Sequence, residues 1–139
     1  MSKEKTQVFV MAEQAGGRIR PVSLQIVGKA RHLANQLDSK VGAILLGQNV
    51  TERAQELIAA GANSVYLGDS DSLHPYQAEL YTEIIGNLML EHRPEIFLLG
   101  STFMGRELAP LIAAKLKTGL TAHCIDLLID NEGILEQKI

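Results

Sequence analysis

The feature that most constrains this chain is an alternation of two hydrophobic rhythms. Short apolar runs occupy residues 8–11, 41–46, 64–67 and 96–99. Between them, apolar residues recur at helical spacing. Strands separated by helices lead to parallel pairing through right-handed crossovers. Runs that do not alternate apolar with polar suit strands covered on both faces. The expected fold is therefore α/β, with three layers and a mostly parallel sheet between helices.

The helices have readable ends. Residues 13–20 contain Gly16-Gly17 and read as a loop or tight turn. Pro21 suits the first turn of the helix that follows, whose apolar side carries Leu24, Ile26, Val27, Ala30, Leu33, Ala34 and Leu37. Thr51 is the expected cap of a short second helix built on Ala54, Leu57 and Ile58, and Gly61 suits its C-terminal residue. Pro75 is placed in the first turn of a long third helix, with Leu80, Ile84, Ile85, Leu88 and Met89 as its buried stripe and Arg93-Pro94 as its end. The fourth helix is expected over residues 106–116, using Leu108, Leu111, Ile112 and Leu116. A fifth strand at 121–128 and a turn at Asn131-Glu132-Gly133 lead into a last strand at 134–139.

Composition narrows the setting. The 139 residues are 46% hydrophobic and 21% charged, which fits one globular domain over 1–139. The formal charge is −3 and no basic run is present, which argues against a nucleic-acid partner. Cys124 stands alone, so no internal disulfide forms, and a reducing, cytoplasmic location is expected. No run approaches the roughly 18–20 apolar residues of a membrane span. Residues 8–12 are too short for a signal-peptide core of ~7–15 residues. The chain stops inside what reads as a strand, suggesting a fragment whose open sheet edge invites pairing between copies.

Open parallel sheets take ligands beyond the carboxyl ends of their strands. Gly47, Gly68 and Gly100 close three of the first four strands there. The richest loop runs Gly100-Ser101-Thr102-Phe103-Met104-Gly105-Arg106, with two hydroxyls, two glycines and an arginine before a helix. Such a terminus favours an anion or a polar ligand edge. It lacks the Gly-x-Gly-x-x-Gly and Gly-Lys-Ser/Thr phosphate signatures. Helix capping by Ser101 or Thr102, with Arg106 on the surface, is the competing reading. Thr118-Gly119-Leu120-Thr121 forms a second loop, and Gly119 suits a helix end.

Catalytic groups do not assemble. His32, His74, His92 and His123 show no metal-ligand spacing, and His123 and Cys124 point to opposite faces of a strand. Glu13, Asp69, Asp71 and Glu107 are candidate acids at the ligand edge, with a solvated surface role as the alternative. No base, nucleophile and oxyanion donor group together.

Residues 98–127, LLGSTFMGRELAPLIAAKLKTGLTAHCIDL, resemble the electron transfer flavoprotein α subunit. The resemblance rests on Gly105-Arg106-Glu107-Leu108-Ala109-Pro110 followed by Thr118-Gly119-Leu120-Thr121-Ala122, two motifs in the family's order and spacing. The opening VFVMAEQAGGRIRPVSLQIVGKARHLA and the link LIAAGANSVYLGD agree with it. The resemblance covers the N-terminal domain of that family and implies an adenine-nucleotide-hydrolase-like, Rossmann-like fold. It implies that the principal FAD site lies in a C-terminal domain absent here, so FAD belongs to the complete heterodimer and none is expected on this chain alone. It implies a β-subunit partner, and electron passage from an acyl-CoA dehydrogenase or other flavin dehydrogenase to a quinone reductase or ferredoxin, with bifurcation in some members. Gly105, Arg106, Thr118, Gly119, Leu120 and Thr121 then become a flavin-facing or subunit-interface edge. The family's usual Asp after Thr-Ala is His123 here, so no role is inferred for that acid. The alternative is a free-standing ATP- or AMP-binding domain of universal-stress type.

Overall fold

The computed structural model describes residues 6–119, 126–129 and 134–138. The chain begins with β1 (Thr6–Ala12), the two-residue strands β2 (Gln14–Ala15) and β3 (Arg18–Ile19), and α1 (Pro21–Gln36). It continues with β4 (Lys40–Gly47), α2 (Ala54–Ala60), β5 (Ser64–Asp69) and α3 (Ala78–His92). β6 (Ile96–Gly100), α4 (Phe103–Gly119), β7 (Asp126–Ile129) and β8 (Ile134–Lys138) follow. The main sheet is ordered β5-β4-β1-β6-β8-β7. The four strands β5, β4, β1 and β6 are parallel, as the alternation predicts. β8 runs antiparallel to β6, and β7 antiparallel to β8, so one edge of the sheet is mixed.

Both faces of the parallel strands are apolar, which explains why their sequences read as unbroken runs. Val8, Val10 and Ala12 of β1 pack with Ile26, Val27 and Ala30 of α1 and Leu57 of α2. Phe9 and Met11, one residue out of phase, pack with Tyr81, Ile85 and Met89 of α3 and Leu108, Ile112 and Leu116 of α4. Two helices therefore cover each face. No helix among the described residues is long and apolar enough to cross a membrane.

Several boundaries differ from expectation. The segment 13–20 is a miniature hairpin, β2 against β3, with Gly16 and Gly17 both at positive φ (60° and 80°) in its turn. That pair of conformations belongs to the turn that matches strand twist, and glycine adopts it without steric cost. Pro75 lies outside the third helix: it follows a cis peptide bond from His74, and α3 starts at Ala78. α4 begins at Phe103, three residues before the expected start at 106, because Thr102 caps it. Residues 121–125 of the expected fifth strand lie outside the described residues.

Candidate functional site

The carboxyl edge of the parallel strands is built by side chains that tie one loop to the next. Glu13 follows β1 and is only 2% exposed. A buried carboxylate needs partners, and Glu13 has two. The Thr102 hydroxyl donates to its Oε2 at 2.6 Å, and Arg20 Nε lies 3.9 Å from its Oε1. Its main chain is held as well. The Glu13 N–H donates to Ser23 Oγ at 2.7 Å, and its carbonyl accepts from Arg20 N at 2.9 Å. Thr102 Oγ1 also accepts from the Gly105 N–H at 3.0 Å, the bond of a helix N-cap.

Gly105 is where α4 meets the end of β6. A Cβ at this position would fall 1.8 Å from the Gly100 carbonyl oxygen. Only a hydrogen fits, so the first turn of α4 presses directly onto the strand end. Arg106, the next residue, is exposed, and its side chain makes no hydrogen bond or ion pair among the described residues. Thr118 and Gly119 sit in the last turn of α4. Thirteen residues separate Thr118 from Gly105, about 20 Å along a helix. Thr118 and Gly119 are thus at the far end of α4 from Gly105 and Arg106, as the expected order of loop, helix and second loop implies. Leu120, Thr121 and His123 lie outside the described residues.

The other candidate acids also tie loops. Asp69, at the end of β5, accepts the backbone N–H groups of Asn49, Val50 and Thr51 and the Thr51 hydroxyl at 2.5–3.0 Å. It therefore caps the turn where Thr51 was expected to act. The Thr51 hydroxyl and the Asn49 N–H hold its carboxyl below the usual carboxylate value. Asp71 accepts from Gln48 Nε2 at 2.9 Å. Glu107 accepts from the Tyr76 hydroxyl at 2.7 Å. Burial and the Glu107 carboxylate push the Tyr76 phenol above its ordinary value. The acids expected as solvated or catalytic are fasteners. Among the described residues, no three His, Cys, Asp or Glu side chains gather as metal ligands.

A cavity of about 540 Å³ opens at this edge. It lies between the Gly16-Gly17 hairpin, the segment after β4, the His74-Pro75-Tyr76 segment after β5, and Met104 of α4. Sequence reasoning missed Gln14 and Arg53, which shape it. Gln14 Oε1 accepts from Gly17 N at 3.0 Å, and Arg53 Nε donates to the Gly17 carbonyl at 2.8 Å. The glycine pair was visible in the sequence, but nothing in it names the distant residues that clasp the turn.

Residues 8–139 match the family described as Electron transfer flavoprotein domain. The chain belongs to that family. It is 45% identical over 130 residues to the "Electron transfer flavoprotein subunit alpha" of Thermoanaerobacterium thermosaccharolyticum, covering 94% of this chain and 39% of that one. It is 45% identical over 125 residues to the subunit of the same name from Megasphaera elsdenii, covering 90% and 37%. It is 42% identical over 133 residues to "Protein FixB" of Clostridium saccharobutylicum, covering 94% and 40%. The chain thus spans about two fifths of the length of these relatives.

The stretch that carried the resemblance, residues 105–110, is the start of α4 in this electron transfer flavoprotein domain. Leu108 and Ala109 are buried and seat the helix on the sheet. Pro110 lies inside α4 and is exposed. It has no N–H, so the Arg106 carbonyl one turn earlier loses its helical donor. Beside it, Phe103 is 82% exposed and Leu111 is 41% exposed.

Proposed function

We propose that the chain is the N-terminal domain of an electron transfer flavoprotein α subunit, and that it docks to a β subunit through the outward side of α4. The observation that carries this is the exposed Phe103 in one stripe with Arg106, Pro110 and Leu111. Exposed apolar surface next to an uncommitted arginine is the usual make-up of a protein contact. The Arg106 carbonyl left open by Pro110 adds an acceptor on the same helix. Gly105 sets the helix against the strand end.

The role is geometric. Electron transfer requires flavins at fixed separations, and a sheet covered by helices holds a partner rigidly. FAD is bound by the complete heterodimer, in sequence beyond this domain, and electrons pass from an acyl-CoA dehydrogenase or other flavin dehydrogenase to a quinone reductase or ferredoxin. The domain works in the cytoplasm. The chain purified alone is expected to be colourless, and its full α subunit co-expressed with β is expected to give a flavin-containing heterodimer. Stoichiometric FAD on the chain alone, or α and β subunits that elute separately, would overturn the reading.

A further inference from the structure

We propose that Arg18, Arg20 and Arg106 form a positively charged rim beside the exposed Phe103, and that this rim receives a carboxylate-rich face of the β subunit and speeds its docking. The rim deepens the α4 docking reading given above and rests on it.

The fold brings these arginines to one edge. Arg18 lies in β3 and Arg20 just after it, with the buried Ile19 between them, so both project to the solvent side. Arg20 lies against Glu13, with its Nε 3.9 Å from Oε1, while the other Glu13 oxygen accepts the Thr102 hydroxyl. Phe103 follows Thr102 directly, and Thr102 caps the helical turn that carries Arg106. A short path of contacts thus joins the hairpin to the exposed aromatic ring.

The positive charge is not spent inside the domain. Arg18 and Arg106 are exposed and make no hydrogen bond or ion pair among the described residues. Arg20 is 49% exposed and has only the Glu13 contact. Residues 12–20 and 100–107 contain two acids, and both are occupied: Glu13 is buried, and Glu107 accepts the Tyr76 hydroxyl. The whole chain carries a formal charge of −3, so this face runs against the sign of the molecule. An apolar centre with a polar margin is the ordinary anatomy of a protein contact, and arginine is enriched there. Complementary charge at such a margin acts mainly on the rate of encounter and on its salt dependence. The partner that covers Phe103 is therefore expected to bring carboxylates to the three arginines.

Rapid mixing of the full α subunit with the β subunit, at about 50 and about 500 mM NaCl, separates the on-rate from the off-rate. The on-rate is expected to fall about fivefold or more at the higher salt. Arg18→Gln breaks no bond of the described fold and should keep the parent's melting temperature. It is expected to slow association about threefold at low salt and flatten the salt dependence, with the off-rate nearly unchanged. Arg18→Glu should slow association about tenfold, and Arg18→Lys, which keeps the charge, should stay close to the parent. An on-rate indifferent to salt, or equal in the parent and the Gln and Glu variants, overturns the rim. Phe103→Ser is measured beside them and is expected to act on the off-rate. If it speeds dissociation while the Arg18 variants change nothing, docking through α4 stands and the rim alone is overturned. If Phe103→Ser changes neither rate, the docking reading and the rim fall together.

Discussion

The Thr102 hydroxyl donates to the buried Glu13 carboxylate at 2.6 Å while accepting the Gly105 N–H at 3.0 Å. One side chain thus fastens the end of β1 to the start of α4, across 89 residues of sequence. Thr102→Val keeps the shape and removes both bonds. It leaves Glu13 buried with only the longer Arg20 contact. A lost cap costs about 0.5–2 kcal/mol, and a buried group short of a partner about 1–3 kcal/mol. Urea unfolding is expected to show destabilisation of about 2 kcal/mol or more for Thr102→Val. Ser at the same position keeps the hydroxyl and is expected to lose much less. Equal losses in Val and Ser variants would show that the methyl, not the hydrogen bonds, carries the effect.

Two glycines in helices are expected to respond in opposite directions to alanine. Gly28 lies exposed within α1, and a Cβ there meets nothing within 4 Å. Gly28→Ala should stabilise by about 0.5–1 kcal/mol, the ordinary helix preference. Gly105→Ala gains the same preference but places its Cβ 1.8 Å from the Gly100 carbonyl oxygen. Backbone must move, so this variant should lose stability and shift α4 away from β6. Thermal melts of the two variants check the contrast, and a stabilised Gly105→Ala would mean that the helix start is not seated on the strand end.

These cases mark what the sequence makes legible. The parallel strands and their helices are written in local apolar periodicity, because each buried face needs its own repeat. Gly105 is visible as a motif letter, yet its reason is the approach of Gly100, which only the folded chain supplies. Glu13 looks like any surface acid in sequence, since burial is decided by Thr102 and Arg20 arriving from elsewhere. Pro75 misleads because a proline suits a helix start and an extended turn equally well, and the neighbouring backbone chooses. The 105–110 and 118–122 motifs are legible as a family pattern and most of the helix between them as apolar periodicity, but its start at Phe103 is not, because Thr102 takes up the cap only in the folded chain.

Asp69 gives a pH prediction. Its carboxyl is held below the usual value by the Thr51 hydroxyl and the backbone of residues 49–51. The folded state therefore favours the ionised form. That contribution is present above the ordinary carboxylate range and is lost as pH falls through the lowered folded value. The melting temperature of Asp69→Asn should fall below that of the parent at about pH 7, and the two should converge towards about pH 2–3. A gap that stays constant over this range would assign the loss to hydrogen-bond geometry rather than charge.

The outward side of α4 supplies the last prediction, because its residues separate folding from association. Phe103 is 82% exposed, and Arg106 makes no side-chain bond among the described residues. Surface changes away from packed or paired groups usually stay within about 0.5 kcal/mol. Phe103→Ser and Arg106→Ala in the full α subunit should therefore leave its melting temperature nearly unchanged. Aromatic and arginine side chains at the centre of an interface often cost more than about 1.4 kcal/mol when truncated, a tenfold change in affinity. Each variant should weaken β-subunit association by about tenfold or more, with the two together weaker still. Lys115→Ala is the control on the same helix: Lys115 pairs with Glu83 of α3 at 3.3 Å, so it serves packing between the two helices rather than the outward stripe. It should change stability slightly and association little. If Phe103→Ser and Arg106→Ala lower stability as much as they lower association, the stripe belongs to the domain's own fold and the partner must bind elsewhere.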